Sequence, residues 1–169
     1  METRQDDFVR KVLDSRDDAE KLLAAYVGDE RMFPVYSRIM DKNCRSGAVC
    51  FNVTAFLLGM VYFVYNKLYL SGFVIFLAGV ILPYILPPNT FLMVSVAISL
   101  IVGALFFKLY FMRFFRIVRR SGYGELPFDE VLARVKKDGG KDNAAYVIFA
   151  VMLAITAAKM YLLSKGADL

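Results

Sequence analysis

The sequence of 169 residues contains no histidine and no tryptophan, and cysteine occurs only twice, at Cys44 and Cys50. The lack of histidine removes the commonest general base and the commonest metal ligand of proteins. Two cysteines alone fall short of a four-ligand zinc site, and the sequence leaves open whether they pair. No nucleophile stands beside a candidate base, and there is no glycine-rich phosphate loop. We therefore expect no catalytic residues, no metal and no cofactor, and interpret the chain as a protein that is not an enzyme.

Charge is missing from the forty residues between Leu68 and Phe107, where the only interruption is the turn sequence at residues 86–89. The hydrocarbon core of a bilayer is about 30 Å thick and is crossed by about 20 apolar residues in helical form. It also requires that every backbone polar group be paired, which favours helices. With 58% hydrophobic residues overall, the sequence predicts an integral membrane protein with two spans joined by a tight hairpin.

Two further segments extend this hairpin to a predicted all-α polytopic membrane bundle of three to four spans. The third span begins near Thr90 and continues as one helix to Arg120, and a last span covers residues 144–163. Residues 47–69 are apolar but include polar and tyrosine side chains, so they either span the bilayer or lie partly re-entrant or interfacial. The predicted parts are an acidic N-terminal helical segment (1–46), a membrane domain (47–120), a cytoplasmic or matrix amphipathic helix (121–142) and a last transmembrane helix (143–169).

Two segments outside the spans have the pattern of amphipathic helices. The first covers residues 5–26 and is predicted to stop at Gly28. The second covers residues 127–138, with a proline at its start, acidic residues in its first turn, lysines in its last turn and two glycines after it. We expect it to lie on a membrane surface or to dock on another helix. Residues 1–30, which contain the first helix, have a net charge of −4, and residues 108–141, which contain the second, have a net charge of +5. The two could therefore dock on each other, or lipid could cover both apolar stripes.

The distribution of basic residues predicts the orientation. Residues 108–141 hold nine Lys and Arg against four acids, whereas the turn at 87–89 has no charge. The positive-inside rule therefore places residues 108–141 inside and the turn outside. If residues 47–69 spanned fully, the three basic residues just before them would lie outside, against the rule. The sequence leaves this conflict open.

The basic residues at the end of the third span are candidates for contact with anionic lipids such as cardiolipin, because each basic residue near an anionic surface is worth about 1 kcal/mol. These candidates are Arg113, Arg116, Arg119 and Arg120. The alternative is that they only anchor the helix by the positive-inside rule and bind no specific lipid.

Small residues at intervals of four predict close helix packing, which is needed in lipid because there is little hydrophobic drive between helices. The candidates are Ser95, Ser99 and Gly103 in the third span, Ala150, Ala154 and Ala158 in the last, and the pair Ala55 and Gly59. The two full rows suggest a direct contact between their helices.

Residues 51–69 carry a recognisable pattern. The residues that form it are Asn52, Ala55, Phe56, Gly59, Tyr65, Lys67 and Tyr69. This stretch resembles the hallmark of the domain of unknown function 2628 family, small and mostly bacterial integral membrane proteins with the core Asn-x-x-Ala-Phe-x-x-Gly-x-x-Trp-x-x-Tyr-Arg-Lys-x-Tyr. Tyr62 stands for the family's Trp and Asn66 for its Arg. The flanks that also resemble the family are Tyr26, Gly28, Tyr36 and Gly139–Gly140, so the resemblance covers about residues 26–145. It implies a membrane topology and no activity.

The predicted spans lack Asp, Glu and Arg in their middle parts, which disfavours a coupled pump or a carrier of charged substrates. We interpret the chain as a non-catalytic structural or accessory subunit of a larger membrane complex. Its expected partners are the bilayer and other subunits or a second copy, without nucleic acid, in a bacterial or mitochondrial inner membrane. The alternative is a small channel or carrier for uncharged solutes or lipids, lined by Asn52, Thr54, Ser95 and Ser99.

Overall fold

The computed structural model describes residues 2–151 and residue 154, and the elements in this part of the chain are helical apart from one isolated bridge between Tyr123 and Leu126. The helices are α1 (Glu2–Asp14), α2 (Arg16–Val27), α3 (Phe33–Met40), a π-helical turn (Asp41–Arg45), α4 (Val53–Leu58), α5 (Met60–Tyr65), α6 (Tyr69–Ile85), α7 (Pro88–Arg120) and α8 (Phe128–Asp138). A further helix begins at residue 144. The predicted all-α class is confirmed. Most of the predicted last span lies outside the described residues.

The region predicted as one helix over residues 5–26 folds as two helices, α1 and α2. Ser15, with φ −85° and ψ 75°, interrupts the helix between α1 and α2. The break lets apolar residues of both helices contribute to the same core. α2 stops as predicted at Gly28, whose φ is 64° and whose N–H donates to the carbonyl of Ala24. Glycine adopts this left-handed conformation without steric cost.

Residues 47–69 do not form a single helix. They contain two six-residue helices, α4 and α5, which meet at Gly59 with φ 47° and ψ −122°. At 1.5 Å per residue each helix is only about 9 Å long, against the roughly 30 Å of a hydrocarbon core. The Asn52 side chain caps α4 by accepting the N–H of Ala55 at 2.8 Å. These short lengths favour the re-entrant or interfacial alternative for this segment.

α6 and residues 88–105 of α7 form an apolar unit that we call the hairpin. α6 contains Pro83 and ends two residues later, as expected for a proline that cannot continue the helix. Exposed large side chains on the hairpin include Leu70, Phe73, Val74, Ile81, Leu92, Met93 and Ile101. Within the described residues, Asn89–Arg120 is the one helix long and apolar enough to cross a membrane, and α6 is apolar but shorter. The predicted three to four spans are thus reduced here to one helix of full length and a shorter partner.

The second half of α7 lies at the centre of a helical core. Its buried side chains are Phe106, Phe107, Tyr110, Phe111, Phe114, Phe115, Ile117 and Val118. The ring of Phe114 lies 5.3 Å from Tyr26 of α2, and that of Tyr110 lies 5.0 Å from Tyr36 of α3. We call the unit made of α1–α3, α5, residues 106–120 of α7 and α8 the head. The basic end of the predicted third span is therefore part of a packed core helix.

α8 begins after Pro127 and ends before Gly139, as predicted. Its apolar stripe does not face an open surface, because Val131 and Val135 are fully buried where α8 packs on α2. The helix expected at the membrane interface is instead docked on the N-terminal segment. This is the second of the two positions that its amphipathic pattern allowed.

The N-terminal segment and residues 108–141 lie at the same end of the hairpin. α2 contacts both α7 and α8. Arg45 belongs to this end as well, since its guanidinium donates to the carbonyl of Leu13 at 2.6 Å. Residues 47–69 therefore do not separate the basic residues before them from those in 108–141. The conflict that the positive-inside rule raised for a fully spanning segment disappears.

Candidate functional site at the base of the hairpin

Arg113 of α7 lies where the head meets the hairpin. Its guanidinium donates to the hydroxyl of Tyr26 at 3.0 Å, to the carbonyl of Asn66 at 3.1 Å and to the carbonyl of Asp138 at 3.0 Å. These partners belong to α2, to the turn between α5 and α6, and to the end of α8. The guanidinium carbon also lies 5.7 Å from the centre of the Tyr26 ring, within the range of cation–π attraction. One planar cation thus connects four segments that are distant in sequence.

The chain turns at Gly139 and Gly140 directly against α2. Gly140 donates its N–H to the carbonyl of Tyr26 at 2.7 Å. A Cβ at Gly139 would lie 2.6 Å from that carbonyl oxygen and 2.8 Å from the Tyr26 Cα, closer than real Cβ atoms approach. Lys67 completes the corner by donating from its ammonium to the carbonyl of Gly139. The two glycines therefore permit backbone contact between the end of α8 and the end of α2.

Two acidic residues hold the segment that follows α8. Asp29 pairs with Lys141 at 3.0 Å, and this hydrogen bond lowers the pKa of the Asp29 carboxyl. The carboxylate of Asp142 accepts a hydrogen bond from the hydroxyl of Tyr69, which lowers the pKa of Asp142. The N–H of Asp142 donates to the carbonyl of Tyr65 at 2.8 Å. Two tyrosines of the 51–69 pattern thus position the start of the final helix.

A cavity of about 720 Å³ lies beside Arg113, between the start of α6, the second half of α7 and the end of α8. Its charged lining residues are Lys67, Arg113, Arg116, Arg120, Lys137 and Asp138, and its apolar ones include Leu68, Leu70, Leu109, Met112 and Ile117. We call it the basic pocket. The sequence predicted its three arginines but missed the two lysines, which come from other elements. The sequence marked Lys67 as part of the 51–69 pattern and Lys137 as a lysine in the last turn of a helix. Neither pattern predicted that the two lysines line the same cavity.

Arg119, the fourth predicted arginine, does not line the basic pocket. It lines a separate cavity of about 470 Å³ together with Phe8, Phe115, Arg116 and Arg120. The predicted group therefore divides: Arg113 is used inside the protein, two arginines lie between two cavities, and Arg119 lies only at the second. Lipid contact by these residues stays a prediction.

The predicted packing residues around α4 have different roles. Ala55 is fully buried where α4 packs on α7. Gly103 permits the same contact, because its carbonyl accepts the N–H of Asn52 at 2.9 Å and a Cβ there would lie 2.6 Å from the Phe51 ring. Gly59 is not a packing residue, since nothing lies within 4 Å of a Cβ at that position. Its positive φ makes it the break between α4 and α5.

The predicted contact between the two rows of small residues is absent from the described residues. Ser95 and Ser99 are half-buried, but Ala150 and Ala154 are exposed. The final helix is held at its start, where Ala145 is buried and residue 146 packs on α5. Ala158 lies outside the described residues.

The polar residues proposed to line a channel do not converge. Asn52 is buried and caps α4, Thr54 is exposed, and Ser95 with Ser99 lies on α7. Thr54 does border a cavity of about 300 Å³ in the head. The tyrosines of that cavity are Tyr36, Tyr62, Tyr65 and Tyr110. Sequence analysis missed this cluster, because Tyr36 and Tyr110 come from distant segments.

The two cysteines are free and half-buried. Burial raises the pKa of the Cys44 thiol to about 12, so this thiol is protonated at physiological pH and is a poor nucleophile. Among the described residues there is no cluster of three or more side chains of the metal-binding types.

The fold and the site define a small helical protein in which a network centred on Arg113 ties an apolar hairpin to a head. The chain belongs to the family described as Protein of unknown function (DUF2628), whose model matches residues 3–116. This confirms the family that residues 51–69 resemble. The match begins at residue 3, before the start of the resemblance at residue 26. It ends at residue 116, before Gly139–Gly140. Searches of curated proteins and of solved structures found no match.

Proposed function

We propose that the protein is a non-catalytic integral membrane protein whose hairpin crosses the bilayer and whose head lies on the inner side. The observation that carries this proposal is the contrast between the two units. The head buries its large apolar residues, whereas the hairpin exposes side chains such as Phe73 (56%), Leu92 (66%) and Met93 (75%). A soluble monomer rarely exposes so long an apolar surface, and a bilayer would cover it.

The lengths of the elements support the same placement. Residues 88–105, the hairpin part of α7, carry no charge and extend about 27 Å as a helix, close to the roughly 30 Å of the hydrocarbon core. Lys67 precedes α6 and Lys108 lies in α7, so the uncharged stretch of each helix of the hairpin ends at a lysine at the level of the head. In this placement α4 dips into the inner leaflet, because Val53 (61% exposed) and Leu57 (70% exposed) face outward beside the hairpin. The helix that starts at residue 144 would enter the bilayer as a third span.

We further propose that the protein acts as a structural or accessory subunit. Supporting this role, the best-connected polar side chains at the base of the hairpin serve to fix the architecture: Arg113 and Lys67 bind backbone carbonyls, and Asp29 and Asp142 hold the segment after α8. A rigid head on a membrane anchor suits a partner-holding function better than turnover.

Two measurements test these statements separately. For the membrane placement, the full chain should stay with membranes after alkaline carbonate extraction. Its appearance in the supernatant would contradict an integral protein. For the accessory role, purification in a gentle detergent followed by sizing should give a particle well above the mass of one chain in its micelle. A monodisperse single chain without bound protein would contradict that role and leave the membrane placement standing.

A further inference from the structure

Three cations in the basic pocket have no partner within the described part of the chain. Arg113 and Lys67 donate hydrogen bonds to backbone carbonyls. The other three cations, Arg116, Arg120 and Lys137, form no ion pair with a described residue. Cations that converge on one cavity repel each other, and an anion between them would remove that cost. The pocket therefore offers charge for an anionic ligand beyond what the fold itself uses.

The remaining walls of the basic pocket show what kind of anion fits. Leu70, Leu109 and Met112 line it on the hairpin side, and Leu70 (79% exposed) and Met112 (39% exposed) continue onto the apolar surface that faces outward. A small hydrated anion gains nothing from such a wall. A lipid gains from both halves, because its phosphate meets the cations and its acyl chains lie along apolar side chains.

The depth of the pocket agrees with a lipid. The pocket includes Lys67 and the first turn of α6, where the uncharged stretch of the sequence begins. In the proposed placement this level is the headgroup region of the inner leaflet. The first-turn N–H groups of a helix also lack intrahelical partners and carry partial positive charge, which adds to the field of the three cations.

We propose that the basic pocket binds one anionic phospholipid, with its phosphate against Arg116, Arg120 and Lys137 and its acyl chains against Leu70 and Met112. This deepens the proposed function and rests on it, since a lipid reaches the pocket only if the hairpin lies in a bilayer. Of the arginines first considered, Arg113 shapes the pocket and Arg119 lies outside it.

The test is native mass spectrometry of the full chain in a neutral detergent, with added phosphatidylglycerol or phosphatidylcholine. A neutral micelle has no surface potential, so general attraction of basic residues to an anionic surface is removed. Wild type should retain one phosphatidylglycerol in preference to phosphatidylcholine. R116Q/R120Q should weaken that retention about 100-fold, at about tenfold for each charge-assisted hydrogen bond to the phosphate. K108Q/K136Q removes the same charge from outside the pocket and should behave as wild type.

Neighbouring lysines provide a second pair of variants that does not depend on α7. Lys137 lines the pocket and Lys136 does not, so K137Q should weaken phosphatidylglycerol retention about tenfold and K136Q should not. Equal losses in the paired variants, or no preference for phosphatidylglycerol in wild type, would overturn the lipid site. Displacement of the lipid by inorganic phosphate in the millimolar range would reassign the pocket to a free anion. Carbonate extraction is read separately, so a failed lipid site with retained membrane association would remove only this inference.

Discussion

At the scale of single residues, Arg113 connects α7 to three segments that are distant in sequence. R113Q would leave the Tyr26 hydroxyl and two backbone carbonyls without their donor. Hydrogen bonds to charged groups are worth about 1.5–3 kcal/mol, and part of that is recovered by water at this half-buried site. We expect R113Q to lower the free energy of unfolding by about 2–4 kcal/mol, measured by chemical unfolding in detergent.

R113K should recover only part of this loss, because an ammonium cannot present the planar fork that reaches three acceptors. R134Q is the matched control. Arg134 pairs with Glu130 on the outer face of α8, where both side chains are about half exposed (50% and 49%). Such a pair contributes about 0–1 kcal/mol. If R113Q and R134Q shifted stability equally, Arg113 would not be the link between head and hairpin.

Tyr26 makes a separate prediction about alkaline pH. Burial raises the pKa of its hydroxyl to about 12, partly opposed by Arg113, whereas an unfolded tyrosine titrates near pH 10. Between about pH 10 and 12 the unfolded state therefore loses this proton first. The stability present below pH 10 is lost as pH rises through that window, by up to about 2–3 kcal/mol.

Y26F should make the free energy of unfolding fall less steeply between pH 10 and 12 than in wild type. The measurement is a series of unfolding curves from pH 8 to 12. Y26F also removes the hydrogen bond from Arg113, so its stability at pH 8 is the reference from which its own slope is taken. Identical slopes in the two proteins would show that Tyr26 does not titrate with unfolding.

At the scale of elements, the docking of α8 on α2 depends on residue 139 being glycine, which has no Cβ. G139A would place a methyl 2.6 Å from the carbonyl oxygen of Tyr26, so the end of α8 must shift. We expect a loss of about 2–4 kcal/mol in the free energy of unfolding and faster proteolysis near residue 139. G79A is the control in α6, where nothing lies within 4 Å of an added Cβ. Equal behaviour of the two variants would contradict close packing at Gly139.

Elements with local signals were predictable from the sequence. α8 has a proline before it and a glycine after it, and the predicted range of 127–138 differs from the observed Phe128–Asp138 by one residue at the start. The hairpin followed from the missing charge. The breaks at Ser15 and Gly59 were not predicted. The turn at Ser15 lets α1 and α2 share one core, and the start of α4 is held by the N–H of Asn52, which donates to the carbonyl of Gly103. Spacing along one segment cannot show a partner about 50 residues away.

The same limit applies to the site. The sequence showed the arginines of α7 as a row of basic residues. It could not show that Arg113 alone among them forms hydrogen bonds within the described part of the chain, because its partner Tyr26 lies 87 residues away. The lysines of the basic pocket were assigned to separate features for the same reason. The count of charged residues predicted that this region is basic. The position of each basic side chain became clear only from the packing of α6, α7 and α8.

At the scale of the whole molecule, the proposed placement predicts the side of each segment. Single cysteines introduced in a C44S/C50S background should label from outside at position 89 and only from inside at positions 10 and 125, because α1 and the loop before α8 share one end of the hairpin. Residues 10 and 125 are both exposed, so a cysteine at either position is accessible to the reagent. Labelling of positions 10 and 125 from opposite sides would contradict the two-span hairpin.

The way the head is assembled has a consequence for synthesis of the protein. α2 is made early, but its partners α8 and Lys141 come later, with Asp29 and Lys141 112 residues apart. At about 5–20 residues per second, translation of that interval takes about 5–20 s. During this time the part of the α2 face that packs on α8 stays uncovered on the ribosome-bound chain. The hairpin emerges before α8, so in the proposed placement it is available to the insertion machinery before the head can close.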